Sequence, residues 1–110
     1  MLFTALASLC LPQALAQSGY PNKSIRLIVP YPPGGGADIV ARMLAQKMTQ
    51  SIGQPVLVEN KPGASTLIGT EMLAKAPPDG YTLGLITDSH AINPSFFAKL
   101  PYDSVKDFSL

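Results

Sequence analysis

Between Pro30 and Gly36 the chain reads Pro-Tyr-Pro-Pro-Gly-Gly-Gly, and no helix or strand interior can run through that segment. The prolines remove backbone donors and fix φ, while three consecutive glycines leave the backbone free to turn. The segment therefore divides two regular elements. Before it, Ser24-Ile25-Arg26-Leu27-Ile28-Val29 is a short β-branched run. Its nearly continuous apolar stretch predicts a strand covered on both faces, as in a parallel sheet. After it, Val40, Met43, Leu44, Lys47, Met48 and Ile52 recur at intervals of three and four, which predicts a helix from Ala37 with the apolar members of this set inward. Gly53 is the expected stop. Arg42, Lys47 and Lys75 read as solvated surface charges.

The same order then repeats. Gln54-Pro55 leads into a second strand, Val56 to Asn60, and Lys61-Pro62-Gly63-Ala64-Ser65 forms the second loop. Ser65 or Thr66 is placed to cap a second helix running to about Ala76, with Leu67, Ile68, Met72 and Leu73 inward. Pro77-Pro78-Asp79-Gly80 is a turn, and Tyr81 to Thr87 reads as a third strand. A polar loop, Asp88-Ser89-His90, precedes a short helical turn around Asn93 to Phe97, and Tyr102 to Leu110 reads as the approach to a fourth strand. Each helix is long enough for the crossover that parallel pairing needs. The fold class is α/β: a parallel sheet with flanking helices, in the order βαβαβ. With the last residues resembling a strand just begun, the chain reads as the opening part of a longer protein.

Residues 1–16 are read as a signal peptide. Met1 to Gln17 carries no charge, is largely apolar up to Leu11, and offers Ala14-Leu15-Ala16, small residues where a signal peptidase accepts them. The apolar run is about half of what a bilayer anchor requires. No Lys or Arg lies near Met1, which departs from the usual pattern, and the bulky Leu9 argues against lipidation of Cys10. With cleavage after Ala16, residues 17–110 lack cysteine, which suits an oxidising compartment. Eight Lys+Arg against seven Asp+Glu, with no basic block, argue against a nucleic-acid or anionic-membrane surface. One Cys and one His leave no basis for a zinc site, and a hydrophobic fraction of 46% supports a packed core.

In an open parallel sheet, ligands sit beyond the carboxyl ends of the strands. Three loops meet there: Tyr31 to Asp38, Lys61 to Thr66, and Thr87 to His90. Gly34, Gly35 and Gly36 offer bare N–H groups just before a helix, and Gly63, Ala64 and Ser65 offer a second set; helix starts of this kind hold carboxylate or phosphate without a basic side chain. Two such starts facing one crevice suit a di- or tricarboxylate. Each feature also has a plain structural reading. The glycine run can be a tight turn, Asp38 can simply favour the helix dipole, Thr87 and Ser89 can be solvated hydroxyls, and Tyr31 can pack beneath the loop. His90 reads as a packing or hydrogen-bonding histidine. A nucleotide site fits poorly. No Lys-Ser/Thr follows Gly36, and mapping Gly34 to Ile39 onto a dinucleotide loop fails at Ile39, although Glu59 ends the second strand at a spacing suited to a ribose. A nucleotide-dependent oxidoreductase with a degenerate loop stands as the alternative reading, and a scaffolding or signalling use of the domain as a third.

Tyr20 to Arg42, with its Tyr31-Pro32-Pro33-Gly34-Gly35-Gly36-Ala37-Asp38 centre, resembles the opening of the Bug-type extracytoplasmic solute receptors, the binding subunits of tripartite tricarboxylate transporters. Val58 to Ala64, Ala76 to Leu83, His90 to Pro94 and Leu100 to Asp103 continue the resemblance in register. It implies a periplasmic protein whose two α/β lobes close on a small carboxylate, with no catalytic step, metal or cofactor. It also implies membrane permease subunits as partners and a monomer when complete, with residues 17–110 forming part of the first lobe. Carried over, the ligand-binding positions are Tyr31, Pro33, Gly34, Gly35, Gly36 and Asp38, then Gly63, Ala64, Ser65 and Thr66, then Thr87 and Ser89. Two positions depart from the family pattern. Leu67 stands where Asn is common, and Asp88 is an acid where hydroxyl or amide residues are common. Facing the crevice, Asp88 would favour a ligand with an amino or amide group; facing solvent, it has no such effect.

Overall fold

A computed structural model describes residues 19–110. The signal-peptide reading, its cleavage after Ala16 and the fate of Cys10 lie outside the described residues. The elements run β1 (Ile25–Val29), α1 (Gly36–Ile52), β2 (Val56–Asn60), α2 (Leu67–Lys75), β3 (Thr82–Gly84) and α3 (Asp88–Phe96). The strands form one parallel sheet in the order β2-β1-β3, with Leu27 opposite Val58 on one side and Leu83 on the other. The expected α/β class and the alternation of strands and helices are therefore observed.

The central strand is buried because both its faces are covered. Ile25, Leu27 and Val29 point to one side and join Ala41, Ala45 and Val56 in the core, while Ile28 is buried on the other. Each such apolar side chain contributes roughly 1.5–3 kcal/mol on full burial. The inward face of α1 differs from the expected one. Ala41 and Ala45 are buried, with Met48 and Ile52 packed beside them, whereas Val40, Met43 and Leu44 are exposed. The small side chains let α1 lie close to the sheet, and the buried Asp38 sets the rotation of the helix about its axis. Gly53 ends α1 in the left-handed region (φ 73°) and donates its N–H to the Thr49 carbonyl, as expected of a stop. In α2 the buried residues are Gly69 and Thr70, with Leu67 and Leu73 half-buried and Ile68 and Met72 exposed.

Two further expectations are corrected. The third strand is three residues long and not seven. Arg26 N–H donates to the Tyr81 carbonyl and Leu85 N–H to the Ile28 carbonyl. The next rung in that alternation falls on the nitrogen of Pro30, which has no hydrogen to give. The polar segment Asp88-Ser89-His90 is not a loop but the first turn of α3. In Tyr102 to Leu110, the segment read as the approach to a fourth strand, Asp103 accepts the N–H groups of Val105 and Lys106 at 2.9 and 2.8 Å and folds the segment into a turn.

Helix α2 approaches the top of the sheet through Gly69. A Cβ built there would lie 2.7 Å from the Lys61 carbonyl oxygen, 2.8 Å from Cβ of the Pro30 ring and 3.0 Å from Pro30 Cα, a backbone and a closed ring that cannot swing aside. Alanine in a helix interior is ordinarily favoured over glycine by about 1 kcal/mol, but overpacking against unyielding neighbours costs about 1–3 kcal/mol. Gly69→Ala is therefore expected to destabilise the protein. Urea denaturation should show a lowered midpoint, and a raised one would contradict this packing.

Candidate functional site

The three loops at the carboxyl end of the sheet are stitched together by side chains. The anchor of the first loop is Asp38, 4% exposed and in the first turn of α1. The helix is capped by Gly35, which has no side chain to offer, so Asp38 reaches back and accepts the Gly34 N–H on Oδ2 at 2.9 Å. Arg42 Nε donates to the same oxygen at 3.0 Å, and Asn60 Nδ2 donates to Oδ1 at 2.9 Å. Asn60 Nδ2 also reaches the Tyr31 carbonyl at 3.1 Å, and its own Oδ1 accepts from Arg42 Nη2 at 3.0 Å. Arg42 is therefore part of this network and not simply a solvated charge, a correction to the expectation from sequence. The Gly34 N–H, the Arg42 guanidinium and the Asn60 amide, in that order, hold the Asp38 carboxyl well below its usual range, down to about 2.

Of the three glycines, Gly34 is needed for its backbone. Its φ of 88° lies where a Cβ is penalised, and its N–H is spent on Asp38. Gly35 and Gly36 are exposed and begin the helix, so the N–H groups of this first turn have no intrahelical acceptor. A Cβ on Gly36 would meet nothing within 4 Å. Pro33 is exposed on the outer side of the same loop.

The second loop is unusual in its backbone. Gly63 (φ 126°) is followed by Ala64, Ser65 and Thr66 at φ 48°, 52° and 76°. Three successive non-glycine residues in the left-handed region cost roughly 1–2 kcal/mol each, so surrounding bonds must hold them. Leu67 N–H donates to the Ala64 carbonyl at 3.1 Å across the turn. From α3, Asn93 Nδ2 donates to the Ser65 carbonyl at 3.0 Å and to Thr66 Oγ1 at 3.2 Å. Thr66 is the N-cap residue of α2, but its hydroxyl makes no capping bond. Its positive φ turns Oγ1 toward Asn93 instead, which corrects the expected cap. Leu67 is half-buried at the start of α2.

The third loop meets the first through hydroxyls. Tyr31 Oη is hydrogen-bonded to Thr87 Oγ1 and donates weakly to Ser89 Oγ at 3.4 Å. Thr87 is the N-cap residue of α3. Asp88 is exposed, and its carboxylate accepts the Ser89 N–H at 3.0 Å. His90 is buried beneath, bonded through Nε2 to the Ser104 carbonyl at 2.8 Å and packed against Tyr102 and Phe108. Its role is packing, in line with the expectation for a solitary histidine.

Each expected position thus lies in one of three linked loops at one end of the sheet or in the first turn of the helix that follows it. Asn60 and Asn93 link the loops and carry no obvious sequence signal beyond being amides in helix- and strand-forming stretches. Glu59, the residue spaced for a ribose, is engaged by Arg26 in a two-pronged ion pair with both contacts at 2.8 Å. Among the described residues, no group of three His, Cys, Asp or Glu could hold a metal, and no helix is long and apolar enough to cross a membrane. A cavity of about 930 Å³ lies elsewhere, lined by apolar residues such as Leu44, Met48, Leu83, Leu85 and Phe108. None of its lining residues comes from the three loops.

A three-stranded parallel sheet with helix starts gathered at its carboxyl end is shared by many α/β proteins, and solved structures identify this one as a lobe of the periplasmic binding protein type. The periplasmic binding protein BugD superposes with a TM-score of 0.78 at 39% identity, over 81% of this chain and 30% of that one. MatC from Rhodopseudomonas palustris, solved with bound malate, gives 0.76 at 36% identity over 81% and 31%. BugT of Bordetella pertussis is 42% identical over 108 residues, 96% of this chain and 32% of BugT. The model of the tripartite tricarboxylate transporter family receptor (TctC) matches residues 40–110. The chain belongs to this receptor family and spans about a third of the length of BugT. Nothing in these comparisons supports the dinucleotide reading.

Because folding lowers the Asp38 pKa, its stabilising contribution is fully present above about 3.8 and is lost as pH falls toward about 2. Asp103, bound by the Lys106 and Val105 N–H groups, and Glu59, paired with Arg26, are lowered too. The informative quantity is therefore a difference between two proteins. The stability advantage of the unmodified protein over Asp38→Asn should be constant above about pH 5 and shrink steadily between about pH 4 and 2. An advantage that does not change with pH would contradict the network.

Proposed function

We propose that this chain supplies the ligand-holding first lobe of an extracytoplasmic solute receptor, which captures a small carboxylate metabolite and delivers it to the permease subunits of a tripartite tricarboxylate-type transporter. The observation that carries the reading is the start of α1. Gly35 and Gly36 present backbone N–H groups; a Cβ would stand in open space at Gly36 and in ordinary contact with the Pro32 carbonyl, at 3.7 Å, at Gly35, so neither position requires glycine for packing. A carboxylate approaching there meets hydrogen-bond donors and the positive end of a 17-residue helix. The left-handed second loop and the Thr87–Ser89 hydroxyls stand at the neighbouring strand ends and can supply further donors. MatC, solved with malate bound, shares this fold at 36% identity, which supports a dicarboxylate as the class of ligand.

Among the described residues no group is arranged as a nucleophile with a base. Asp38 is held ionised by three donors, and His90 is packed against two rings. The function is a binding equilibrium without chemical conversion, in which a second lobe closes over the ligand by a hinge motion and the closed form is recognised at the membrane. Residues 1–16 direct export, and the receptor works in the periplasm as a monomer. Asp38 supports the glycine loop from below, with both carboxylate oxygens already engaged.

Gly36→Ala separates binding from folding. Alanine is well accepted in a helix and meets no neighbour, so stability should change by less than about 0.5 kcal/mol. Affinity for malate, measured by calorimetry on the full-length receptor, should fall by about tenfold or more as the methyl group occupies the ligand's approach. Unchanged affinity, or binding of a dinucleotide in place of malate, would contradict the proposal.

A further inference from the structure

We propose that Asn93 is a positioning residue, which holds the second loop in the shape that presents its backbone donors to a ligand and fixes that loop to the first through α3. The proposal rests on the receptor reading above. Asn93 sits inside a helix, where asparagine has a poor intrinsic preference, and is only 5% exposed. Its amide is directed out of the helix toward Ser65 and Thr66. These are the last two of the three non-glycine residues at positive φ, a run that local sequence does not favour and that tertiary bonds must therefore hold.

The direction of the loop's amides depends on that run. If Ser65 or Thr66 returned to negative φ, the peptide planes before α2 would rotate and their N–H groups would point elsewhere. The same helix that carries Asn93 begins at Thr87 and Ser89, which bond to Tyr31 in the first loop. α3 is thus a crossbar: its first turn is fastened to the glycine loop and its second turn to the left-handed loop. A ligand spanning both loops needs their spacing fixed, and Asn93 fastens the end that would otherwise relax.

Asn93→Asp is the sharpest test, because it preserves shape but replaces the donating amide with an oxygen facing the Ser65 carbonyl. In the full-length receptor, malate affinity is expected to fall about tenfold, the equivalent of one lost buried hydrogen bond. Hydrogen exchange at the Leu67 N–H, which closes the left-handed turn, should speed up by a similar factor while the Arg26 and Leu85 N–H groups of the sheet keep their protection. Adding Ala64→Gly, which removes the Cβ penalty at positive φ, should recover about threefold or more of the lost affinity. Recovery by a glycine at a residue that Asn93 does not itself bond is not expected of a residue that merely packs the helix. Weakened binding with unchanged Leu67 exchange, or no recovery on adding the glycine, would overturn the proposal. If Asn93→Asp does not fold, Asn93→Ala is read in the same way. Should the unmodified receptor bind no malate, the receptor reading is what fails, and the Leu67 exchange alone then decides whether Asn93 holds the loop.

Discussion

A buried carboxylate organises this end of the molecule. Asp38 accepts from the Gly34 backbone, from Arg42 one turn further along the same helix, and from Asn60 at the tip of the neighbouring strand. Burying a charge is expensive unless it is bonded on several sides, and here both oxygens are engaged. The result is a fixed relation among a loop rich in glycine, a helix axis and a strand end. Without it, a segment containing Gly34, Gly35 and Gly36 would have little reason to adopt one conformation. With it, the N–H groups at the start of α1 keep one direction, as a preorganised binding site requires.

From this anchor the other loops are reached by a short chain of bonds. Asn60 carries the constraint from Asp38 to the Tyr31 carbonyl; the Tyr31 hydroxyl passes it to Thr87 and the start of α3; and Asn93 on α3 passes it to the second loop. At the start of α1 the groups left without an intrahelical acceptor are backbone N–H donors. In the proposed receptor, a lobe built this way would recognise the charge and planarity common to all carboxylates and leave discrimination among metabolites to other parts of the closed protein.

Much of the fold is legible in the sequence because Pro and Gly place its boundaries. β2 lies at Val56 to Asn60 and α1 stops at Gly53, both as expected. The departures have physical causes. Val40, Met43 and Leu44 satisfy a helical period, yet a helix lying close to a sheet prefers Ala41 and Ala45 at the contact. The third strand is shorter than its residues suggest because its pairing is limited by Pro30 on its partner, a tertiary fact that local propensity does not contain. The start of α3 is hidden in the sequence because Asp88, Ser89 and His90 look like a polar loop. In the site, the residue types that could hold an anion are legible, but the bonds organising them are not. A left-handed run of Ala64, Ser65 and Thr66 has no sequence signature, and the amides that matter, Asn60 and Asn93, are recognised only once the chain brings them to the loops.

If backbone N–H groups at the start of α1 receive the ligand's carboxylate, amide NMR on the full-length receptor with its glycines labelled by nitrogen-15 will register it directly. On titration with malate, the Gly35 and Gly36 signals should show the largest shifts, with Gly34 less affected because its N–H is already donated to Asp38. If Gly35 and Gly36 stay unmoved while Gly80 and Gly84, which line the apolar cavity beside β3, respond, then the ligand binds elsewhere and the start of α1 is not its site.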